Sequence, residues 1–245
     1  MTEGERWTRD ALQALRAADY APAAWGRFLA ASHGRAAASR AARPQLTRQA
    51  RAWMAIGALG CLARRRGLVG WGVTAAMLEW HLGMVETEDG RPRALGAADA
   101  CTLLRAWLAP AAARDPRPVL FAVAMATDAA DGALARASEP TRLGRDLEGL
   151  VDVCFSAAVL RGLRRHGRLG RVATSAEGCR LAAGAVWAVR AAFAGTPPPP
   201  AGRALTPLRG AGLLAAAGGH RRLANRLVLV GAVASVALSA ADRAS

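Results

Sequence analysis

Polar and apolar residues are distributed unevenly along this chain. Over residues 1–50, Trp7, Leu12, Leu15, Trp25 and Phe28 are separated by charges, which predicts soluble or interfacial helix. Residues 51–63 form a short apolar run that Arg64, Arg65 and Arg66 interrupt. Residues 67–85 are long enough to cross a bilayer, which takes roughly 20 residues, although Glu79 and His81 break the run. Residues 86–94 read as a polar loop. Apolar stretches then recur at 99–113, 118–136, 144–164, 172–195, 204–219 and 223–241. The ARDPRP turn separates the first two, and the run from Pro197 to Pro200 cannot lie in a helix interior. The expectation is an all-α protein: a polytopic membrane helical bundle of about six transmembrane helices with an N-terminal helical extension. The segments expected are a polar to amphipathic region (1–50), extra apolar helices with a polar loop (51–95), and a membrane domain (96–243). Arginines inside several stretches keep a soluble all-α protein open as the alternative. They follow residues 144–164 as well as flanking their start, so the positive-inside rule does not orient the chain.

Composition strengthens the helical reading. Hydrophobic residues make up 53% of the chain but aromatics only 5%, with alanine, a strong helix former, supplying much of the apolar content. The net charge is +15, and all 33 basic residues are arginine. Coding bias in a GC-rich genome explains most of these; the functional reading is attraction to an anionic partner. Because the arginines flank apolar stretches and form no single basic block with interleaved aromatics, membrane lipids are the expected partner and nucleic acid is not. The four cysteines, Cys61, Cys101, Cys154 and Cys179, are scattered without a CxxC pair, which argues against zinc or a disulfide framework and for buried, reduced thiols. The charged N-terminus predicts no cleavable signal peptide.

The chemistry concentrates in residues 128–152, DAADGALARASEPTRLGRDLEGLVD. Asp128 and Asp131 share one helix face, and Gly132 beside them lets a ligand or a second helix approach. Gly144, Glu148 and Asp152 form a second stripe on a helix expected to start near Gly144, with Asp146 pointing away. Two antiparallel helices joined by a tight loop would bring the stripes together. Four facing carboxylates repel unless protonated or bound to cations, and oxygen-only ligands favour Mg²⁺ or Mn²⁺, expected here as two ions. The competing reading is a solvated acidic loop paired to Arg136, Arg142 and Arg145.

This segment resembles the signature of the CDP-alcohol phosphatidyltransferase family: D-x2-D-G-x2-A-R, seven or eight residues, then G-x3-D-x3-D. Asp128, Asp131, Gly132, Ala135, Arg136, Gly144 and Asp152 match it. TLLRAWLAP, from Thr102 to Pro110, is similar to that family's first membrane helix. The resemblance covers roughly residues 96–243. It departs at Glu148, where the family has aspartate. The extra methylene shifts the carboxylate oxygens by about an ångström, which is enough to matter for a metal pair.

The resemblance implies a multi-pass cell-membrane enzyme of phospholipid biosynthesis, commonly a homodimer. Its donor would be a CDP-linked lipid such as CDP-diacylglycerol, and its acceptor an alcohol, either a polyol phosphate or a lipid alcohol. By position, Asp128, Asp131 and Glu148 become metal ligands, and Asp152 a ligand and catalytic base. Gly132, Ala135 and Gly144 make room at the nucleotide, and Arg136 pairs with a phosphate or closes a local salt bridge. Arg105, a lone arginine in an apolar helix, either faces the polar cavity or snorkels to the interface. Arg203 and Arg209 frame a segment where family members bind the acceptor's phosphate; a lipid headgroup contact is equally consistent. His81, His166 and His220 read as interfacial. Two other readings stand beside the transferase: an inactive membrane scaffold that retains the fold, favoured only by Glu148, and a prenyltransferase-like enzyme. The latter class carries two separated acidic motifs, whereas here both halves lie together.

Overall fold

A computed structural model describes residues 2–65, 67–87, 89–137, 141–194 and 204–241. Its regular structure in those residues is all helical, with no strand and only two isolated bridges, Glu86 with Pro92 and Thr87 with Thr141. The helices are α1 (Glu3–Ala17), α2 (Pro22–Ala42), α3 (Pro44–Ala63), α4 (Leu68–Trp80), α5 (Ala97–Arg114), α6 (Pro118–Ala137), α7 (Arg142–Arg165), α8 (Arg171–Ala194), α9 (Thr206–Ala217) and α10 (Arg221–Ala241). A 3-10 turn, Leu82–Met84, follows α4. Local chemistry explains several boundaries. Prolines at the first turn open α2, α3 and α9, where their missing N–H costs nothing. Thr2 and Glu5 close a capping box at the start of α1.

The chain divides into two compact units: residues 1–107 with 127–151, and residues 108–126 with 152–245. In the first, α3 packs on α4, and α2 on both α1 and α4. Its core includes Leu46, Met54, Trp71, Leu78, Leu103 and Leu147. Two tryptophans set the spacing. Trp71 lies against Gly57, where a side chain would overlap its ring, and its Nε1 donates to the Met54 carbonyl (2.7 Å). Trp107 Nε1 donates to the Gly57 carbonyl (3.1 Å), and the Arg64 guanidinium stacks 3.8 Å from the Trp107 ring centre.

In the second unit, α10 packs on α8 and α9. Small residues allow close approach: the Gly212 backbone meets Val228, and Gly231 meets the stem of Arg209. A Cβ at Gly162 would overlap the Ala112 carbonyl oxygen, so α7 and the end of α5 meet backbone to backbone. Arg168 Nη1 donates to the carbonyls of Ala217 (2.9 Å) and Pro116 (3.2 Å), tying two helix ends together.

The all-α expectation and the helical N-terminal extension hold, and a helix occupies each of the six apolar stretches beyond residue 96. Among the described residues, α10 is long and apolar enough to cross a bilayer, and Pro118–Ala130 within α6 is a further apolar stretch. Internal arginines and acids lower the hydropathy of α5, α7 and α8. α9 has 12 residues, about 18 Å at 1.5 Å per residue, against a hydrocarbon core of about 30 Å. Residues 67–85 are likewise not one long span: α4 stops after 13 residues, and Leu78, Leu82 and Val85 turn fully into the core. None of the four cysteines is in a disulfide, but only Cys61 is buried; Cys101 is half-buried, and Cys154 on α7 and Cys179 on α8 are exposed.

Gly162→Ala is expected to destabilise the fold by roughly 1–3 kcal/mol, since backbone must move to admit one methyl. Thermal unfolding of the purified protein should show the lowered midpoint.

Candidate metal centre

The acidic segment is built on the end of α6 and the start of α7. Thr141 caps α7: its Oγ1 accepts the Gly144 N–H (2.9 Å) and donates to Asp99 Oδ1 (3.3 Å). Asp99 Oδ2 in turn accepts the Gly96 N–H at the start of α5 (2.7 Å). One buried carboxylate therefore serves the N-termini of two helices, where the macrodipole favours negative charge. This cap is why α7 begins at Arg142, two residues ahead of the expected start near Gly144. A Cβ at Gly144 would come within 3.0 Å of Thr141 Oγ1 and 3.5 Å of Asp99 Oδ1, so the glycine leaves room for that hydrogen bond.

From this start, α7 carries Glu148 and Asp152 one turn apart. With Asp128 on α6, each offers a carboxylate oxygen, and the three oxygens lie within 4.8 Å of one another. Asp128 is exposed, while Glu148 and Asp152 are half-buried. Arg105 on α5 is 2% exposed, and its Nη1 lies 3.7 Å from Asp128 Oδ1. Of the two placements open for Arg105, snorkelling is therefore not observed: it is buried against the acidic cluster.

Asp131, Gly132, Ala135 and Arg136 lie on α6, and Arg145 and Asp146 on α7, but their side chains lie outside the described residues, as does Arg203 entirely. Arg142 pairs with Glu86 Oε1 (2.7 Å) and Glu5 Oε1 (3.6 Å). Arg209 is buried, donating to Ser235 and to Thr206 Oγ1 (3.0 Å), with Glu177 Oε1 3.7 Å from its Nε. His81 and His166 each place a ring nitrogen 2.6 Å from a helix-end carbonyl, of Met77 and Arg114 respectively.

Sequence reading missed three buried acids: Asp99, Glu86 and Glu177. Glu177 sits in a stretch read as small and apolar, where it pairs with Arg180 (2.7 Å) and Arg209. An arginine three residues after an acid on one helix was the available signal. For Asp99 the signal was its place three residues after Gly96 at a helix start. Glu86 had none, because its partner lies 56 residues away.

Helices, cap and acidic cluster together describe a helical protein with an oxygen-donor centre between two consecutive helices. The family model for CDP-alcohol phosphatidyltransferase matches residues 97–237, more than half the chain, and the protein belongs to that family. No curated protein and no solved structure gives a significant match to it.

Thr141→Ala should lower stability by about 1–2 kcal/mol, through the lost cap and the lost donor to Asp99, whereas Thr141→Ser should stay within about 0.5 kcal/mol. Chemical unfolding of the two variants side by side is the measurement.

Proposed function

We propose that this protein transfers the phosphatidyl group of a CDP-linked lipid, CDP-diacylglycerol, to an alcohol with release of CMP, in phospholipid biosynthesis. Family membership supplies the reaction class: transfer from a CDP-alcohol. The observation that carries the rest is the convergence of Asp128, Glu148 and Asp152 inside the family's acidic segment.

The donor set fits a hard divalent cation, Mg²⁺ or Mn²⁺, because it offers only carboxylate oxygens held close together. Asp128, Glu148 and Asp152 would hold such an ion, and Asp131 would join them in a two-ion site. When bound, the metal neutralises negative charge on the diphosphate and on departing CMP. The chain's own groups do the rest. Asp152 takes the proton from the acceptor hydroxyl. The acceptor oxygen then forms a bond to the lipid-side phosphorus as the bond from that phosphorus to the CMP oxygen breaks. Gly132, Ala135 and Gly144 line the nucleotide, with Arg136 at a phosphate. Arg105, buried against Asp128, places a fixed positive charge beside the cluster and limits its mutual repulsion.

Members of this family are membrane proteins. A multi-pass arrangement in the cell membrane, as a homodimer, agrees with the apolar side chains exposed on α3, α6, α8 and α10. Among them are Ile56, Leu59, Val119, Val172, Val189 and Val230. The acceptor is a polyol phosphate or a lipid alcohol.

Purified protein with CDP-diacylglycerol and Mn²⁺ should release CMP with one member of an acceptor panel. That panel holds glycerol 3-phosphate, inositol phosphate, inositol and phosphatidylglycerol. Silence across all four would exclude the reading and favour an inactive scaffold. Asp152→Asn should reduce turnover by about 10²–10⁴-fold while the protein stays folded.

Glu148 already reaches its neighbours with the longer side chain. Glu148→Asp is therefore expected to lower CMP release by about tenfold, as for loss of a metal-supporting contact. A rate increase would show that glutamate detunes the site.

A further inference from the structure

Arg142 is the first residue of α7, and it is 4% exposed. A cation at a helix N-terminus is opposed by the helix dipole, and a buried cation needs counter-charge. Both requirements are met from one source. Glu86 Oε1 lies 2.7 Å from Arg142 Nη1, and Glu5 Oε1 lies 3.6 Å from its Nε. The Thr2 hydroxyl completes the junction. It accepts from Arg142 Nη1 (3.1 Å) and from the Glu5 N–H (3.2 Å), and donates to Glu86 Oε1 (3.1 Å). Its one donor and two acceptor sites are all used. The contact is tight, since a Cβ at Gly4 would overlap the Arg142 guanidinium. The backbone adds a second tie: the Arg142 N–H donates to the Glu86 carbonyl (3.1 Å), and Thr87 bridges to Thr141, the cap of α7.

Thr2, Glu5, Glu86 and Thr87 all precede residue 97, where the family match begins. We propose that Arg142 is a positioning residue for the metal centre, and that the N-terminal extension acts through it as a clamp on the first turn of α7. The lever is short. Glu148 lies about 9 Å along the helix from Arg142, and Asp152 about 15 Å. A tilt of about 5° moves the farther carboxylate by about an ångström, beyond the roughly 0.5 Å that a preorganised site tolerates. The extension thus holds in register the carboxylates that the proposed transferase reaction needs, and the inference rests on that reading of the site.

The test is a Mn²⁺ titration of the purified full chain, followed by the electron paramagnetic resonance signal of free Mn²⁺, with CMP release measured alongside. Arg142→Gln should weaken Mn²⁺ binding by at least about tenfold, the usual effect of removing a supporting partner, and Arg142→Lys should recover part of it. Glu86→Gln should act in the same direction, and the double variant should bind no worse than the weaker single one. Thr2→Ala leaves the charge pair intact, so it is the milder probe if Arg142→Gln fails to fold; about threefold weakening is expected, the scale of a lost cap. Glu3→Gln removes an exposed charge from the same helix and should change nothing. Wild-type Mn²⁺ affinity in folded Arg142→Gln, or in Thr2→Ala, overturns the clamp even if CMP is released. Weakened binding in these variants supports it even if no acceptor yields CMP, an outcome that would remove only the transferase reading.

Discussion

Three carboxylates on α6 and α7 share a volume a few ångströms across, and their mutual repulsion is the constraint around which this part of the chain is organised. Like charges this close cannot all ionise without cations nearby. The protein supplies one permanently, since the Arg105 guanidinium is buried beside Asp128. The remaining charge is what a divalent metal is suited to neutralise. A site of this kind is useful only while its ligands stay in place, and much of the surrounding structure restrains the helices that carry them.

That restraint comes mainly from polar contacts at helix ends. α5 and α7 start on a single shared carboxylate, Asp99, through Gly96 and Thr141. α7 starts a second time, in effect, on Glu86 through the side chain and backbone of Arg142. Buried groups of this kind are costly unless fully partnered, and when partnered they tolerate little displacement. Glu177, Arg180 and Arg209 form a comparable buried cluster on α8 and α9 in the other unit. An arginine-only basic complement therefore has an internal use alongside any attraction to anionic lipid. A planar guanidinium can bridge two or three acceptors where an ammonium acts as a point charge.

The sequence alone determined that the chain is helical, where the six helices beyond residue 96 run, and which segment carries the acids. Those features are local: alanine-rich apolar periodicity, Pro197–Pro200 as a break, and carboxylates three or four residues apart. The family's spacing is local too, which is why residues 128–152 were enough to suggest a membership that the match over 97–237 establishes. Tertiary structure decided the partners and the lengths. Residues 67–85 have the composition of a span, yet the chain bends after Trp80 so that Leu82 and Val85 enter a core formed with α3. Arg142 sits among acids in sequence but pairs with Glu86 and Glu5, because folding brings the N-terminus to α7. Arg105 reads as a lone charge in an apolar helix until Asp128, 23 residues on, lies beside it. Spacing along a helix reports only which residues share a face. What that face meets depends on how distant segments pack.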